Sequence, residues 1–167
     1  MMALHLAQFN IGRLRFDQDD PGAAAFMNAL DEVNAAGEVS PGFVWRHQDD
    51  SGASVDTNLY GDPRLIINYT IWESVDQLRQ FAYHGAHLDY FRRRLEWFEA
   101  HDEASHVMWW IPAGEIPSTA EAMRRLEHLQ TNGPTSAAFG FRDAPLFDPE
   151  SISAASLGES SESERTQ

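Results

Sequence analysis

The chain alternates between segments with the two-residue period of strands and segments with the 3.6-residue period of helices. Strand patterns cover residues 4–14, 42–47, 64–72 and 104–111. Helical patterns cover 21–36, 87–100 and 118–131, and a further helix begins after Ser74, a residue suited to cap it, and breaks near Gly85. This order predicts an α+β fold built on the ferredoxin-like β-α-β-β-α-β unit. An extra C-terminal helix and a short aromatic stretch, residues 138–141, complete it.

The third and fourth strands are largely apolar at both odd and even positions, so both faces of the predicted sheet need cover. Helices of a ferredoxin-like unit cover one face only. We therefore predict a homodimer through sheet faces, in which a second sheet from an identical chain covers the other face. On the third strand, the two sets are Leu65, Ile67, Tyr69 and Ile71 on one face, and Ile66, Asn68, Thr70 and Trp72 on the other.

The end of the chain differs in composition from the rest. From Ser151 it is rich in Ser and Glu and has no aromatic residue, so it cannot bury enough apolar area to offset the entropy of ordering. We predict one folded domain over residues 1–149 and a disordered tail over 150–167.

Charge and composition exclude several classes of function. The 167 residues carry 26 acidic and 12 basic side chains, all 12 being Arg, for a net charge of −14. Such a chain lacks the clustered cations that nucleic acids and anionic membranes require. With no Cys, disulfides and thiolate chemistry are excluded. No signal peptide or membrane-spanning run is evident, which favours a cytoplasmic protein. The Lys-free acidic composition fits either high salt or a GC-rich genome.

Several motifs carry a family resemblance: Gly42-Phe-Val-Trp-Arg, Trp72-Glu-Ser-Val-Asp-Gln-Leu, Trp109-Trp-Ile-Pro-Ala-Gly and Ala138-Phe-Gly-Phe. Through them, residues 3–142 resemble a bacterial family of uncharacterised proteins that is similar to the antibiotic-biosynthesis-monooxygenase group of the dimeric αβ-barrel superfamily. The resemblance implies a homodimeric αβ-barrel. The relatives include cofactor-free monooxygenases, haem-degrading and haem-ligating enzymes, and members without catalysis, so no single reaction transfers.

The predicted helix 87–100 offers a candidate pocket wall. Leu88, Phe91, Leu95 and Phe98 share one face, which we expect to pack on the sheet. Beside that face runs a stripe of mixed character, which either lines a pocket or forms an ordinary amphipathic boundary. Its members are His87, Tyr90, Arg94 and Trp97.

Two amides and several aromatic residues extend the candidate site. Asn10 and Asn68 interrupt apolar strand faces, so each either satisfies a structural hydrogen bond or orients a ligand carbonyl or reduced oxygen. We assign catalytic roles to His87 (proton transfer), Asn10 and Arg94 (anion stabilisation). Substrate-binding roles go to Asn68, Trp72, Tyr83, Tyr90, Trp97 and Trp109, although strand Trp residues are more often core.

His84 and His87 have a spacing that two ligands of one metal can use, but no third ligand follows from the sequence, so we assign no metal site. We assign no cofactor either. Haem, with His87 as its axial ligand, is the exception left open. The leading hypothesis is a cofactor-independent monooxygenase that acts on a hydrophobic aromatic small molecule. The alternatives are a non-catalytic dimer that binds a small molecule or haem, and a dimer whose cavity is filled by its own side chains.

Overall fold

The computed structural model describes residues 2–48 and 61–150. Residues 49–60, which follow the second predicted strand, and the predicted tail from Ser151 lie outside these residues. The described elements confirm the ferredoxin-like order. They are β1 (Leu4–Arg13), α1 (Ala24–Glu38), β2 (Phe43–Arg46), β3 (Leu65–Trp72), α2 (Val75–Ala82), α3 (Gly85–Arg92), α4 (Arg94–Trp97), β4 (His106–Pro112) and α5 (Thr119–Asn132).

The four strands form one antiparallel sheet in the order β2-β3-β1-β4. This is the strand order of the ferredoxin-like unit, and it places β1 and β3 at the centre. Because side chains alternate along a strand, even-numbered residues of β1, β3 and β4 share one face and odd-numbered residues share the other.

Helices α1 to α4 cover the even-numbered face, here called the α1–α4 face. Two apolar clusters form the contact. One, the Trp72 cluster, joins Leu6, Trp72 and Met108 to Leu78 of α2 and to Phe139. The other, the Trp97 cluster, has the buried members Leu14, Ile66 and Trp97, with Phe26, Met27, Leu30, Tyr90 and Phe98 packed against them. The two clusters leave the middle of this face to other residues.

The odd-numbered face, here called the α5 face, packs against the chain's own C-terminal helix. Ala122, Leu126 and Leu129 of α5 lie against Phe9 and Ile67 and their neighbours. Ser118 caps this helix by accepting a hydrogen bond from the Glu121 backbone N–H at 3.1 Å. The cover that we expected from a second sheet is therefore supplied here by α5. Since an uncovered face was our physical reason for a homodimer, that reason is removed, and the homodimer itself stays a prediction.

The helical region after α2 differs from its prediction. The expected helix 87–100 is two helices that meet at Arg93, and the second ends at Trp97. This interruption shifts which side chains face the core. Leu95 is 54% exposed and Phe91 38% exposed, whereas Trp97 is 3% exposed. The expectation that Phe91 and Leu95 pack on the sheet was therefore wrong. For Leu95 the reason is the break at Arg93, because the helical phase predicted from residues 87–92 does not continue beyond it.

The segment after α5 runs along the outer edge of β4. Met108 and Phe139 exchange backbone hydrogen bonds of 2.7 and 3.0 Å, and Phe139 is fully buried. The indole Nε1 of Trp110 donates to the Phe147 carbonyl at 2.9 Å, which fixes the end of the segment. The predicted aromatic stretch 138–141 thus belongs to the core of the domain.

Candidate functional site

A line of three polar side chains crosses the α1–α4 face between the two apolar clusters. The pairing register places Asn68 of β3 beside Asn10 of β1, and Asn10 beside His106 of β4. We call these three residues the polar row. Neighbouring strands lie about 4.8 Å apart, so the row spans about 10 Å. All three side chains are half-buried. They form a polar strip with partial access to solvent, and the polar side chains of Gln8 and Thr70 lie next to it on the same face.

One end of the polar row belongs to a chain of hydrogen bonds. The indole Nε1 of Trp72, which can only donate, donates to Thr70 Oγ1 at 2.8 Å. Gln8, only 5% exposed, donates through Nε2 to Thr70 Oγ1 at 2.9 Å and to Asn68 Oδ1 at 2.7 Å. The oxygen of Asn68 is thus engaged, and its Nδ2 group makes no hydrogen bond within the described residues. At this end, the polar row presents a donor.

The middle of the polar row is Asn10, whose side-chain amide makes no hydrogen bond within residues 2–48 and 61–150. It is not fully buried, so the amide faces solvent-accessible space rather than apolar core. Buried or half-buried polar groups are normally paired with protein or water. A free amide between Asn68 and His106 is therefore available to bind a ligand, as donor or acceptor.

His106 forms the other end of the polar row. Its ring stacks on Phe141, with centroids 5.1 Å apart and an interplanar angle of 8°. Burial lowers the pKa of His106 from its usual 6.5 to about 4, so the imidazole is neutral at pH 7. A neutral imidazole offers one donor and one acceptor nitrogen. Sequence analysis did not assign His106 a role. The sequence does place His106 two positions before Met108, so the two side chains point to the same face of β4. Only the β1–β4 register shows that this is also the face of Asn10.

A chain of aromatic contacts extends from His106 to two predicted site residues. Phe141 packs against Tyr83 at 5.5 Å, and Tyr83 against Phe91 at 5.7 Å. The guanidinium of Arg94 lies 4.3 Å from the Phe91 ring centroid and donates to the Phe91 carbonyl at 2.9 Å. Tyr83 is therefore connected to the polar row through Phe141. Arg94 is exposed and folds back from α4 onto the end of α3.

His87 and Trp72 belong to a second group, joined by Phe81. The Phe81 ring stacks on Trp72 at 5.3 Å and lies 4.9 Å from the His87 ring. Trp72 is fully buried, so it is a core residue and not an open pocket wall. His87 Nδ1 hydrogen-bonds the Ala82 carbonyl at 2.7 Å, and burial lowers the pKa of His87. No hydrogen bond, ion pair or ring contact of the described residues joins His87 to Asn10 or Arg94.

The surroundings of His87 supply no second group for haem. Its Nδ1 is engaged by the Ala82 carbonyl and its half-buried ring lies against Phe81, so only Nε2 is left for a ligand, and haem stays an open prediction. The described residues also contain no cluster of three His, Asp or Glu side chains placed to hold a metal ion. His84, the other histidine of the predicted pair, faces the Gln80 carbonyl at 2.9 Å.

The remaining predicted residues lie away from the polar row. Tyr90 and Trp97 contact each other at 5.7 Å within the Trp97 cluster. Trp109 lies on the α5 face, fully buried near Tyr69, because it has the opposite parity to Asn10 and His106. The structure therefore does not bring Trp109 together with the two amides. Its indole Nε1 has no hydrogen-bond partner.

An open depression of about 520 Å³ lies beside the edge strand β2. Phe43, Trp45 and Arg46 line it together with Glu38 at the end of α1. It is separate from the polar row, which starts one strand further into the sheet, at Asn68 of β3.

The fold and the polar row define a ferredoxin-like α+β domain with a polar strip between its sheet and helices. Residues 5–155 match the family described as domain of unknown function (DUF3291), and the chain belongs to that family. This confirms the resemblance to an uncharacterised family. No curated protein matches the chain. The part of the chain that the structure describes contains no helix long and apolar enough to cross a membrane.

Solved structures that the chain resembles include oxygenase-like proteins. SnoaB, a cofactor-independent oxygenase from Streptomyces nogalater, shares 12% identity, with 67% of this chain and 95% of that chain covered and a TM-score of 0.45. A candidate antibiotic biosynthesis monooxygenase from Nitrosomonas europaea shares 10%, with 71% and 97% covered and a TM-score of 0.46. A conserved protein from Methanosarcina mazei Go1 shares 13%, with 66% and 93% covered and a TM-score of 0.48. At such identities we draw no argument about function from them.

Proposed function

We propose that this protein binds a small, planar, uncharged aromatic molecule at the polar row. The observation that carries the proposal is the set of unused hydrogen-bonding groups on Asn10, Asn68 and His106, which lie between the Trp72 and Trp97 clusters of one sheet face. A ligand that binds against the polar row would satisfy these groups and bury apolar surface at the same time.

The chemistry of the polar row defines the class of ligand. None of its three side chains carries a charge at pH 7, since two are amides and His106 is neutral there. A buried carboxylate or ammonium on the ligand would find no opposite charge within the row. The guanidinium of Arg79 lies 5.5 Å from the centroid of the Phe141 ring, on which His106 stacks, and so it is not itself a member of the row. A neutral ligand with one or two oxygen or N–H groups is therefore favoured.

The reaction that we propose for such a ligand is cofactor-independent oxygenation. A phenol would react with O₂ at a ring carbon, so that one oxygen atom becomes a quinone carbonyl and the other leaves as water with two hydrogens. Asn10 and Asn68 would stabilise negative charge that develops on the substrate oxygen. His87 and Arg94 keep their predicted roles in proton transfer and anion stabilisation only if they move toward the row.

A homodimer in solution also remains our prediction. Sedimentation velocity measures the oligomeric state directly.

Binding can be tested with two probes of one shape and different charge. We expect 1-naphthol to shift the NMR side-chain signals of Asn10 and His106, and 1-naphthoate to bind about tenfold more weakly at pH 7.5. Asn10→Leu should abolish the 1-naphthol shifts. Asn28→Leu, at an exposed position of α1, is the matched control and should leave them unchanged. Shifts that survive Asn10→Leu would place binding elsewhere and refute the proposed site.

Oxygenation is tested separately by oxygen consumption and by formation of 1,4-naphthoquinone from 1-naphthol. We expect turnover in the wild type and its loss in Asn10→Ala, with His87→Ala testing the predicted proton transfer. If 1-naphthol binds but oxygen is consumed no faster than without protein, the oxygenase hypothesis is refuted. The alternative, a non-catalytic binding protein, is then supported.

A further inference from the structure

Gln8 lies beside the polar row on the same sheet face, two residues before Asn10 on β1, and is hydrogen-bonded to Asn68. Its Nε2 group is used twice, toward Thr70 and toward Asn68, and the side chain is 5% exposed. Thr70 is 8% exposed, and its Oγ1 accepts from the Trp72 indole as well as from Gln8. The NH₂ group of Gln8 therefore donates to the oxygen of Asn68 from a buried, doubly bonded position.

The hydrogen bond from Gln8 decides which end of the Asn68 amide is presented to a ligand. An amide has a donor end and an acceptor end, and Gln8 engages the acceptor end. Rotating the Asn68 amide by half a turn would set its NH₂ group against the NH₂ group of Gln8 and lose the 2.7 Å bond. Asn10 has no such partner among the described residues, so its amide can turn either way. A neutral imidazole can likewise exchange its two tautomers.

We propose that Gln8 is a positioning residue that makes the Asn68 end of the polar row specific for hydrogen-bond acceptors on the ligand. This inference rests on the proposed binding function and deepens it. A ligand carbonyl or ether oxygen at this end accepts from Asn68 Nδ2. A hydroxyl oxygen can accept there in the same way. An N–H group, which can only donate, meets a second donor and leaves both unsatisfied, which costs more than a missing bond on a solvent-exposed surface.

The proposal predicts a preference between two bicyclic probes of similar size. 1-Indanone carries only an acceptor, and indole carries only a donor. We expect the wild type to bind 1-indanone about tenfold more tightly than indole, as judged from NMR titrations. Gln8→Met keeps the side-chain length and removes the bond to Asn68, so the amide turns freely and the preference falls to about equal affinity.

Gln8→Glu reverses the polarity at the same shape. At pH 8 an ionised Glu accepts from Asn68 Nδ2 and from the Thr70 hydroxyl, so Asn68 turns its oxygen to the ligand and indole becomes the preferred probe. Gln80→Glu adds the same charge at an exposed position of α2 and should keep the wild-type preference. The same preference in wild type, Gln8→Met and Gln8→Glu would overturn the proposal.

A measurement without ligand separates this inference from the proposed function. In the wild type, the Nδ2 protons of Asn68 should exchange rapidly with solvent and the Nε2 protons of Gln8 slowly. In Gln8→Glu, the Asn68 protons should become protected. If neither probe binds the wild type, the proposed function fails, and this exchange pattern still decides the role of Gln8. Slow exchange of the Asn68 Nδ2 protons in the wild type would overturn it.

Discussion

Acidification should destabilise the protein through His106. Burial lowers the pKa of this side chain from 6.5 to about 4, so between these values the unfolded chain takes up a proton that the folded chain does not. Stability therefore rises with pH across this window and falls as the pH drops. Above pH 6.5 both states are neutral at this site, and the contribution is absent.

The magnitude follows from the two pKa values. At pH 5 the unfolded imidazole is almost fully protonated and the folded imidazole is mostly neutral. The loss relative to pH 7.5 is about 2 kcal/mol, since each unit of pH between the two values is worth about 1.4 kcal/mol. Burial of the folded side chain is the cause, because a charged imidazole stacked on Phe141 would lose hydration without gaining an anionic partner.

The assay is urea unfolding at pH 7.5 and pH 5 for the wild type and His106→Gln. Each protein gives a difference between two free energies of unfolding, and the wild-type difference should exceed that of the variant by about 2 kcal/mol. The loss of stability between pH 7.5 and pH 5 should also be larger in the wild type than in His87→Gln, because burial lowers the pKa of His87 as well. Equal losses in the wild type and His106→Gln, or an NMR titration of His106 near 6.5, would refute the reasoning.

Three substitutions test the packing by urea unfolding. Gly12→Ala places a methyl group 2.8 Å from the Phe98 ring and should cost about 1–3 kcal/mol; Gly140→Ala, with open space around it, is the control, and equal stability of the two variants would contradict the clash. Leu126→Ala should cost about 2–5 kcal/mol if α5 covers the sheet, and a cost below 1 kcal/mol would show that it does not. Ser118→Ala should cost about 1 kcal/mol through the lost cap, with an unchanged value arguing against the cap.

The fold could be predicted because its signals are local. The two-residue alternation of β1, the Ser74 cap and the break near Gly85 all act within a few residues, and the structure confirms them. The Ser74 hydroxyl accepts from the Gln77 backbone N–H at 3.2 Å, as the sequence indicated. Which element covers the second face of the sheet depends on contacts that are distant in the sequence. A strand face covered by α5 and a strand face covered by a partner chain have the same apolar pattern, so the pattern alone does not distinguish them.

The candidate site was predicted in part, for a similar reason. Asn10 and Asn68 stand out because each is polar within an apolar strand face. His106 could not be joined to them without the β1–β4 register, and one residue of slip would have placed it on the other face. The assignments of His87 and Arg94 depended on one continuous helix, which the chain interrupts at Arg93. Long-range pairing and a helix break thus account for the differences.

The segment that pairs with β4 has a consequence for how the protein avoids aggregation. An unpaired outer strand is a template for strands of other molecules, and here Phe139 closes part of that edge through its two bonds to Met108. Within the described residues, a chain shortened to end at Asn132 would lose no strand and none of α1 to α5. It would nevertheless expose the β4 backbone and open the Trp72 cluster where Phe139 is buried. The segment after α5 therefore protects this edge of the sheet from pairing with strands of other molecules.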